Sequence, residues 1–221
     1  MHRSGTSMLI GTLQEAGAYL GNVYGDAIEF NRKGLLEPLA VLHMHEDLLK
    51  ANGGSWNKPV EQLRWSNLHT AVRDLFIESR AGHPVWAFKD PRTLFTLQGW
   101  QQVLPGLELV GIFRHPAAVA QSLQHRNKFP LDQGLALWQK YNQRLLALHE
   151  RAAFPVIEFL PDPDQLRSKL ASLLALLRLP KPLAAGTLTF FEEGIRQHDA
   201  ADTPLPAPVE ELYRRLQALA L

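Results

Sequence analysis

Three short apolar runs constrain this chain more than any other feature. VWAF (85–88), LELVGIF (107–113) and FPVIEF (154–159) are rich in β-branched and aromatic residues, and each gives way to a polar or proline-containing loop. Stretches of helical spacing lie between and after them, at 94–104, 117–127, 132–152 and 163–178. The last of these carries Leu166, Leu170, Leu173, Leu174 and Leu177 on one stripe. Strand-like runs separated by whole helices cannot pair as hairpins. The alternation therefore predicts an α/β fold, a central parallel sheet covered by helices on both faces. At 221 residues the chain is expected to form a single domain, 1–221.

The flanking segments are more helical. Met8–Ala16 places Leu9, Leu13 and Ala16 on one face, and Leu36–Lys50 and residues 60–80 read as further helices. Glycines mark turns in GAYLGNVYGDAIEFNRKG, and residues 180–207 show no regular pattern. The tail PVEELYRRLQALAL is amphipathic, with Val209, Leu212, Tyr213, Leu216 and Leu219 on one stripe.

Composition narrows the function. A net charge of +1 provides no broad basic field, so nucleic acid is not an expected partner. No apolar run reaches the roughly 20 residues of a membrane span. The apolar stretch near the start is short and broken by Gln14 and Glu15, unlike a signal peptide. With no cysteine at all, the chain suits a reducing compartment, and a cytoplasmic location is expected.

Ligands of α/β sheets bind where strand C-termini run into helix N-termini. Three loops of this kind carry unusual polar residues: HRSGTS (2–7), KDPRT (89–93) and FRHPAAVAQS (113–122). In the first, free N–H groups at a helix start form an anion site beside the Arg3 guanidinium, with Thr6 and Ser7 as hydroxyl donors. Gly5 lets the backbone approach closely. A nucleotide-hydrolysing loop would read GxxxxGK[ST], but Thr6 follows Gly5, so that lysine is absent. An ordinary capped helix is the alternative reading of this loop. In the third loop Pro116 suits the first position of a helix, with Arg114 at a strand end and Ser122 about two turns on. An arginine and a hydroxyl there would suit a second phosphate; a surface salt bridge for Arg114 and a solvated Ser122 are the alternatives.

With these residues in place, the chain resembles the sulfotransferases that use 3′-phosphoadenosine-5′-phosphosulfate (PAPS). The family's 5′-phosphosulfate loop is matched by Arg3-Ser4-Gly5-Thr6-Ser7, and its 3′-phosphate pair by Arg114 and Ser122. The likeness is strongest to a bacterial group beginning GMHRSGTS. It extends through Asn31, Gly34 and Glu37, Gly53 to Trp56, Lys89 to Arg92, and Leu137, Trp138 and Tyr141. A fainter echo follows at EEGIRQH (192–198). The order and spacing of these short motifs carry the resemblance; any one of them alone is weak.

The resemblance implies a three-layer, P-loop-like α/β fold and transfer of a sulfuryl group from PAPS to a hydroxyl, or in second place an amine, of a small molecule, glycan or peptide, leaving PAP and requiring no metal. It implies Arg3 and Lys89 at the phosphosulfate end and Glu37 as the catalytic base, with Glu29 and then His43 behind it. His2, Arg3, Ser4, Gly5, Thr6 and Ser7 would hold the 5′ end, and Arg114, Ser122 and Arg196 the 3′-phosphate. Protonated His2 and His115 would assist. Asp90 and Arg92 would buttress the site, and Trp56, Trp65 and Trp86 would be core or wall residues rather than stacking platforms. For Lys89 a surface contact with Asp90 is the alternative, and for Glu37 a favourable place near a helix N-terminus. His43 and His45, at i and i+2, face apart on a helix and are not an expected metal pair.

The family's loop follows a central strand, for which the chain has no counterpart before Met1; a start assigned too late or a truncation is the expected reason. A P-loop kinase of nucleotides or small molecules, and a non-catalytic adenosine-phosphate binder, are the competing functions. The acceptor and the oligomeric state have no signature in the sequence.

Overall fold

A computed structural model describes residues 1–24, 34–181 and 203–221. Glu29, Asn31, Arg196 and the 192–198 echo lie outside the described residues.

Among the described residues the fold is mixed α/β and mostly helical, a two-stranded parallel sheet set among eight helices. Helix α1 (Thr6–Glu15) enters through Gly5, whose φ of 83° is left-handed, and buries Leu9, Ile10 and Leu13. It stops where Gly17 takes a left-handed turn and the Ala18 N–H bonds back to the Leu13 carbonyl. Helix α2 (Leu39–Ala51) follows Pro38 and buries Val41, Met44, His45, Leu48 and Leu49. Helix α3 (Asn67–Glu78) is shorter than the 60–80 stretch suggests, because Ser66 caps it through a reciprocal bond pair with His69. Helix α4 (Thr93–Gln101) leads to strand β1 (Gly111–Arg114) and, from Pro116, to α5 (Pro116–Asn127). Next come α6 (Leu131–Arg151), strand β2 (Val156–Phe159), α7 (Pro163–Leu176), capped by the Asp162 carboxylate, and α8 (Ala207–Leu219).

Strands β1 and β2 pair in parallel, with Gly111 opposite Val156 and Arg114 opposite Phe159. Ile112 and Ile157 pack with Leu9, Leu13, Leu166 and Leu170 of α1 and α7. Phe113 and Val156 join a second cluster with Trp138, Leu145, Leu212 and Leu216 of α6 and α8. Both faces are thus covered by helices, as the near-continuous apolar character of the strands requires. A third cluster, around Phe76 and Trp100, holds α2, α3 and α4 together and takes in Trp65 and Trp86.

The run at 85–88 corrects the expectation of a third strand. It makes a single parallel bridge, between Tyr19 and Trp86. The Tyr19 N–H donates to the Val85 carbonyl and the Ala87 N–H to the Tyr19 carbonyl, each at 3.0 Å. A ladder needs partners on successive residues, and Trp86 and Phe88 have no backbone partner among the described residues. No described helix is long and apolar enough to cross a membrane.

Candidate functional site

The first turn of α1 is the hub. Its Ncap, Gly5, has no side chain to cap the helix. A Cβ at Gly5 would sit 2.3 Å from the Phe159 ring, so the residue is required by packing against β2 as well as by its φ of 83°. Close backbone approach at Gly5 is therefore to Phe159. Arg3 also has a left-handed backbone, φ 65°, which is uncommon outside glycine and belongs to a tightly specified loop. Ser4 is fully buried and its Oγ has no hydrogen-bond partner among the described residues.

A side-chain hydrogen bond joins this hub to each of the other two loops. Arg3 Nε donates to Ser122 Oγ at 2.8 Å, joining the first loop to α5. Lys89 Nζ donates to Ser7 Oγ at 3.3 Å, joining it to the KDPR loop. The sequence reading expects two separate anion pockets; in the structure Arg3 closes directly onto the hydroxyl of the second.

Arg114 ends β1 half-buried. Its guanidinium lies over the Phe159 ring, 5.2 Å from the centroid, so that ring separates Gly5 from Arg114. Its carbonyl accepts from the Trp138 indole N–H at 2.9 Å, which fixes the strand end. Burial, and then the neighbouring Arg3 charge, push the Arg114 pKa down to about 10. Arg114 has no carboxylate partner among the described residues. A cation desolvated and repelled in this way is stabilised by any anion placed against it.

The second pole is a buried ion pair. Lys89 Nζ donates to Glu37 Oε1 at 2.8 Å and to the Leu35 carbonyl at 2.5 Å. The alternative of a Lys89–Asp90 surface contact does not describe this geometry. Glu37 precedes α2, in a bridge with Tyr24, and its carboxylate is turned into the protein. Burial raises the proton affinity of Glu37 although Lys89 opposes the shift, and burial lowers that of Lys89 although Glu37 opposes it.

Beneath this pair Asp90 accepts from the Arg92 N–H at 2.8 Å and from Arg92 Nη1 at 3.0 Å, and it bonds His45 Nδ1 at 3.0 Å. Trp100 Nε1, which can only donate, lies 3.0 Å from His45 Nε2, so His45 Nε2 accepts and Nδ1 carries the proton toward Asp90. Burial alone would raise the Asp90 carboxyl; the His45 hydrogen bond and Arg92 instead hold it well below the usual carboxylate range. Arg92 also pairs with Glu46 at 2.7 Å and lies 4.0 Å from Glu37 Oε2.

Other expected contributors sit differently. His2 is buried against Trp56, ring centroids 4.8 Å apart, and burial followed by the Arg92 charge pushes its pKa well below the ordinary value. Burial lowers His115 as well, so both rings are neutral neighbours near pH 7 rather than added cations. His43 is 71% exposed and 4.0 Å from Glu46, away from the pair. Sequence reasoning misses Arg126, in the last turn of α5, whose charge acts on Arg3, His2, Glu37 and Arg92. An arginine at a helix C-terminus reads as a match to the helix dipole, which hides this placement.

A cavity of about 620 Å³ adjoins the site and touches Met1, Thr6, Lys89 and Asp90. Arg3, Glu37, Arg114 and Ser122 do not line it, and its walls are largely aliphatic. Comparison with models of protein families, with curated proteins and with solved structures finds no match in any of the three.

Proposed function

We propose that the chain is a PAPS-dependent sulfotransferase on a three-layer, P-loop-like scaffold, acting in the cytoplasm on a hydroxyl, or less favourably an amine, of a small molecule, glycan or peptide. The observation that carries this reading is the convergence of three loops on the first turn of α1. Arg3 bonds Ser122 at 2.8 Å on one side, and Lys89, paired with Glu37, bonds Ser7 at 3.3 Å on the other.

The residues present fit an adenosine cosubstrate that carries an anionic group at each of two ends. The buried Ser4 hydroxyl, which has no partner among the described residues, and the repelled Arg114 are groups that an anion at this helix start would satisfy. Arg3, Ser4, Gly5, Thr6 and Ser7 would hold the phosphosulfate end, and Arg114 and Ser122 the 3′-phosphate. When bound, PAPS supplies the sulfuryl group and a phosphate leaving group. Lys89 stands where an ammonium can neutralise charge on that phosphate. Glu37, whose proton affinity burial raises, is a stronger base than an exposed carboxylate and can hold the acceptor's proton. The Arg92–Asp90–His45 network fixes the loop that carries Lys89.

Thermal melting with ligands tests the reading. PAP should raise the unfolding midpoint in the absence of magnesium, because it binds only the folded chain. A shift with ATP and magnesium that exceeds the shift with PAP would favour a phosphotransferase. A PAP shift without sulfuryl transfer to any of a panel of hydroxyl acceptors would reduce the protein to an adenosine-phosphate binder.

A further inference from the structure

Arg126 stands apart from the other basic residues at the end of α5. His125 and Lys128 beside it are exposed, as charges that meet only the helix dipole would be, whereas Arg126 is half-buried. It lies four residues after Ser122, so the two share one face of the helix, one turn apart. Ser122 takes the Arg3 hydrogen bond, so this face meets the first loop. Burial lowers the proton affinity of Arg126, and the charges that act on it come from across the site: Glu37 supports it and Arg92 opposes it. No ion pair joins Arg126 to any described residue. The carboxylates of the region are already engaged, Glu37 with Lys89 at 2.8 Å, and Asp90 and Glu46 with Arg92 at 3.0 and 2.7 Å. Arg126 is thus a partly desolvated cation within charge range of the proposed base and without a counterion in contact. The wall beside it is aromatic. Lys128, with a left-handed φ of 59°, turns the chain, and Phe129 stacks on Trp56 with ring centroids 5.8 Å apart. His2 makes an edge contact with Trp56 at 4.8 Å; it is 9% exposed, and its Nε2 has no hydrogen-bond partner among the described residues.

We infer that Arg126 selects the acceptor: it receives an oxyanion carried by the molecule whose hydroxyl meets Glu37, so the substrate is an acidic hydroxyl compound, bearing a carboxylate, phosphate or sulfate, rather than a neutral one. The inference rests on the sulfotransferase reading and adds a substrate class to it. A neutral acceptor would leave the guanidinium partly stripped of water with nothing to replace it. An oxyanion offers the paired, charge-assisted hydrogen bonds that guanidinium geometry suits. Trp56 and Phe129 provide ring surface for the apolar part of the same molecule, and His2 Nε2 can donate or accept one further bond.

The test measures sulfuryl transfer from PAPS to three matched pairs of acceptors: para-hydroxybenzoate and its methyl ester, glucuronic acid and its methyl ester, and a tyrosine peptide flanked by aspartates or by asparagines. The acidic member should be the better substrate in at least one pair, by about tenfold or more in kcat/KM. In Arg126→Ala that acid-to-neutral ratio should fall by about 10- to 100-fold, chiefly through KM, and Arg126→Lys should restore part of it. Equal falls for both members of a pair would place the guanidinium at the donor or in the fold and overturn the inference. A preference for the neutral member in every pair would overturn it as well. Where no acceptor is turned over, binding of each pair to the PAP-saturated protein is followed by NMR. No acidic member binding more tightly than its neutral partner, or an equal preference in Arg126→Ala, overturns the inference too. Calorimetry with PAP keeps the two readings apart. PAP binding to the parent beside any of these failures removes only the acidic acceptor, whereas no PAP binding removes the sulfotransferase reading and this inference with it.

Discussion

Lys89 and Glu37 show how one contact serves stability and chemistry at once. Each charge is desolvated, and each makes the other's burial tolerable. Removing one partner strands the other, which costs about 3–5 kcal/mol, whereas removing both charges together costs far less. Lys89→Met and Glu37→Gln should each lower stability by about that amount, while the double variant recovers most of it; urea unfolding measures the cycle. Additive losses would mean that the pair is not coupled as the 2.8 Å contact indicates. Met1 gives a second, pH-linked test. Its ammonium is near pKa 8.0 unfolded and about 5 folded, so between those values the unfolded chain binds more protons. The penalty is full below pH 5 and fades as the pH rises toward 8, so this group makes the protein more stable from pH 5 to 8. Acetylating Met1 should flatten that part of the profile; an unchanged slope would show that the amino group is hydrated when folded.

At the scale of elements, what the sequence reveals is what depends on local pattern. The helices at 94–104, 117–127, 132–152 and 163–178 appear within a few residues, because caps such as Pro116 and Asp162 and regularly spaced leucines act within one segment. Strands depend on neighbours. LELVGIF shortens to Gly111–Arg114 and FPVIEF to Val156–Phe159, the stretch where the two actually pair. VWAF has equal β character but a partner at one residue only, so it stays a bridge. The site is legible in the same measure. Arg3, Ser7 and Lys89 can be named from motifs because they flank a helix start or the end of an apolar run, and Ser122 because it follows Arg114 by eight residues. The Arg3–Ser122 bond, the His45–Asp90 contact and the reach of Arg126 span 119, 45 and many residues of sequence, and no local pattern encodes them.

For the whole molecule, the sheet matters less as a core than as the frame that aims three loops at one helix N-terminus. Phe159 of β2 packs against both Gly5 and Arg114, and Trp138 of α6 holds the Arg114 carbonyl, so these residues are positioned by elements far apart in the chain. The central claim is that these groups grip one doubly phosphorylated adenosine. Titration calorimetry of PAP, without magnesium, into the protein and into Arg3→Ala and Arg114→Ala tests it most directly. The account predicts binding to the parent chain and a loss of about 1.5–3 kcal/mol, roughly 10- to 150-fold in affinity, in each variant. Equal affinity in all three proteins, or no heat of binding to the parent, would contradict it.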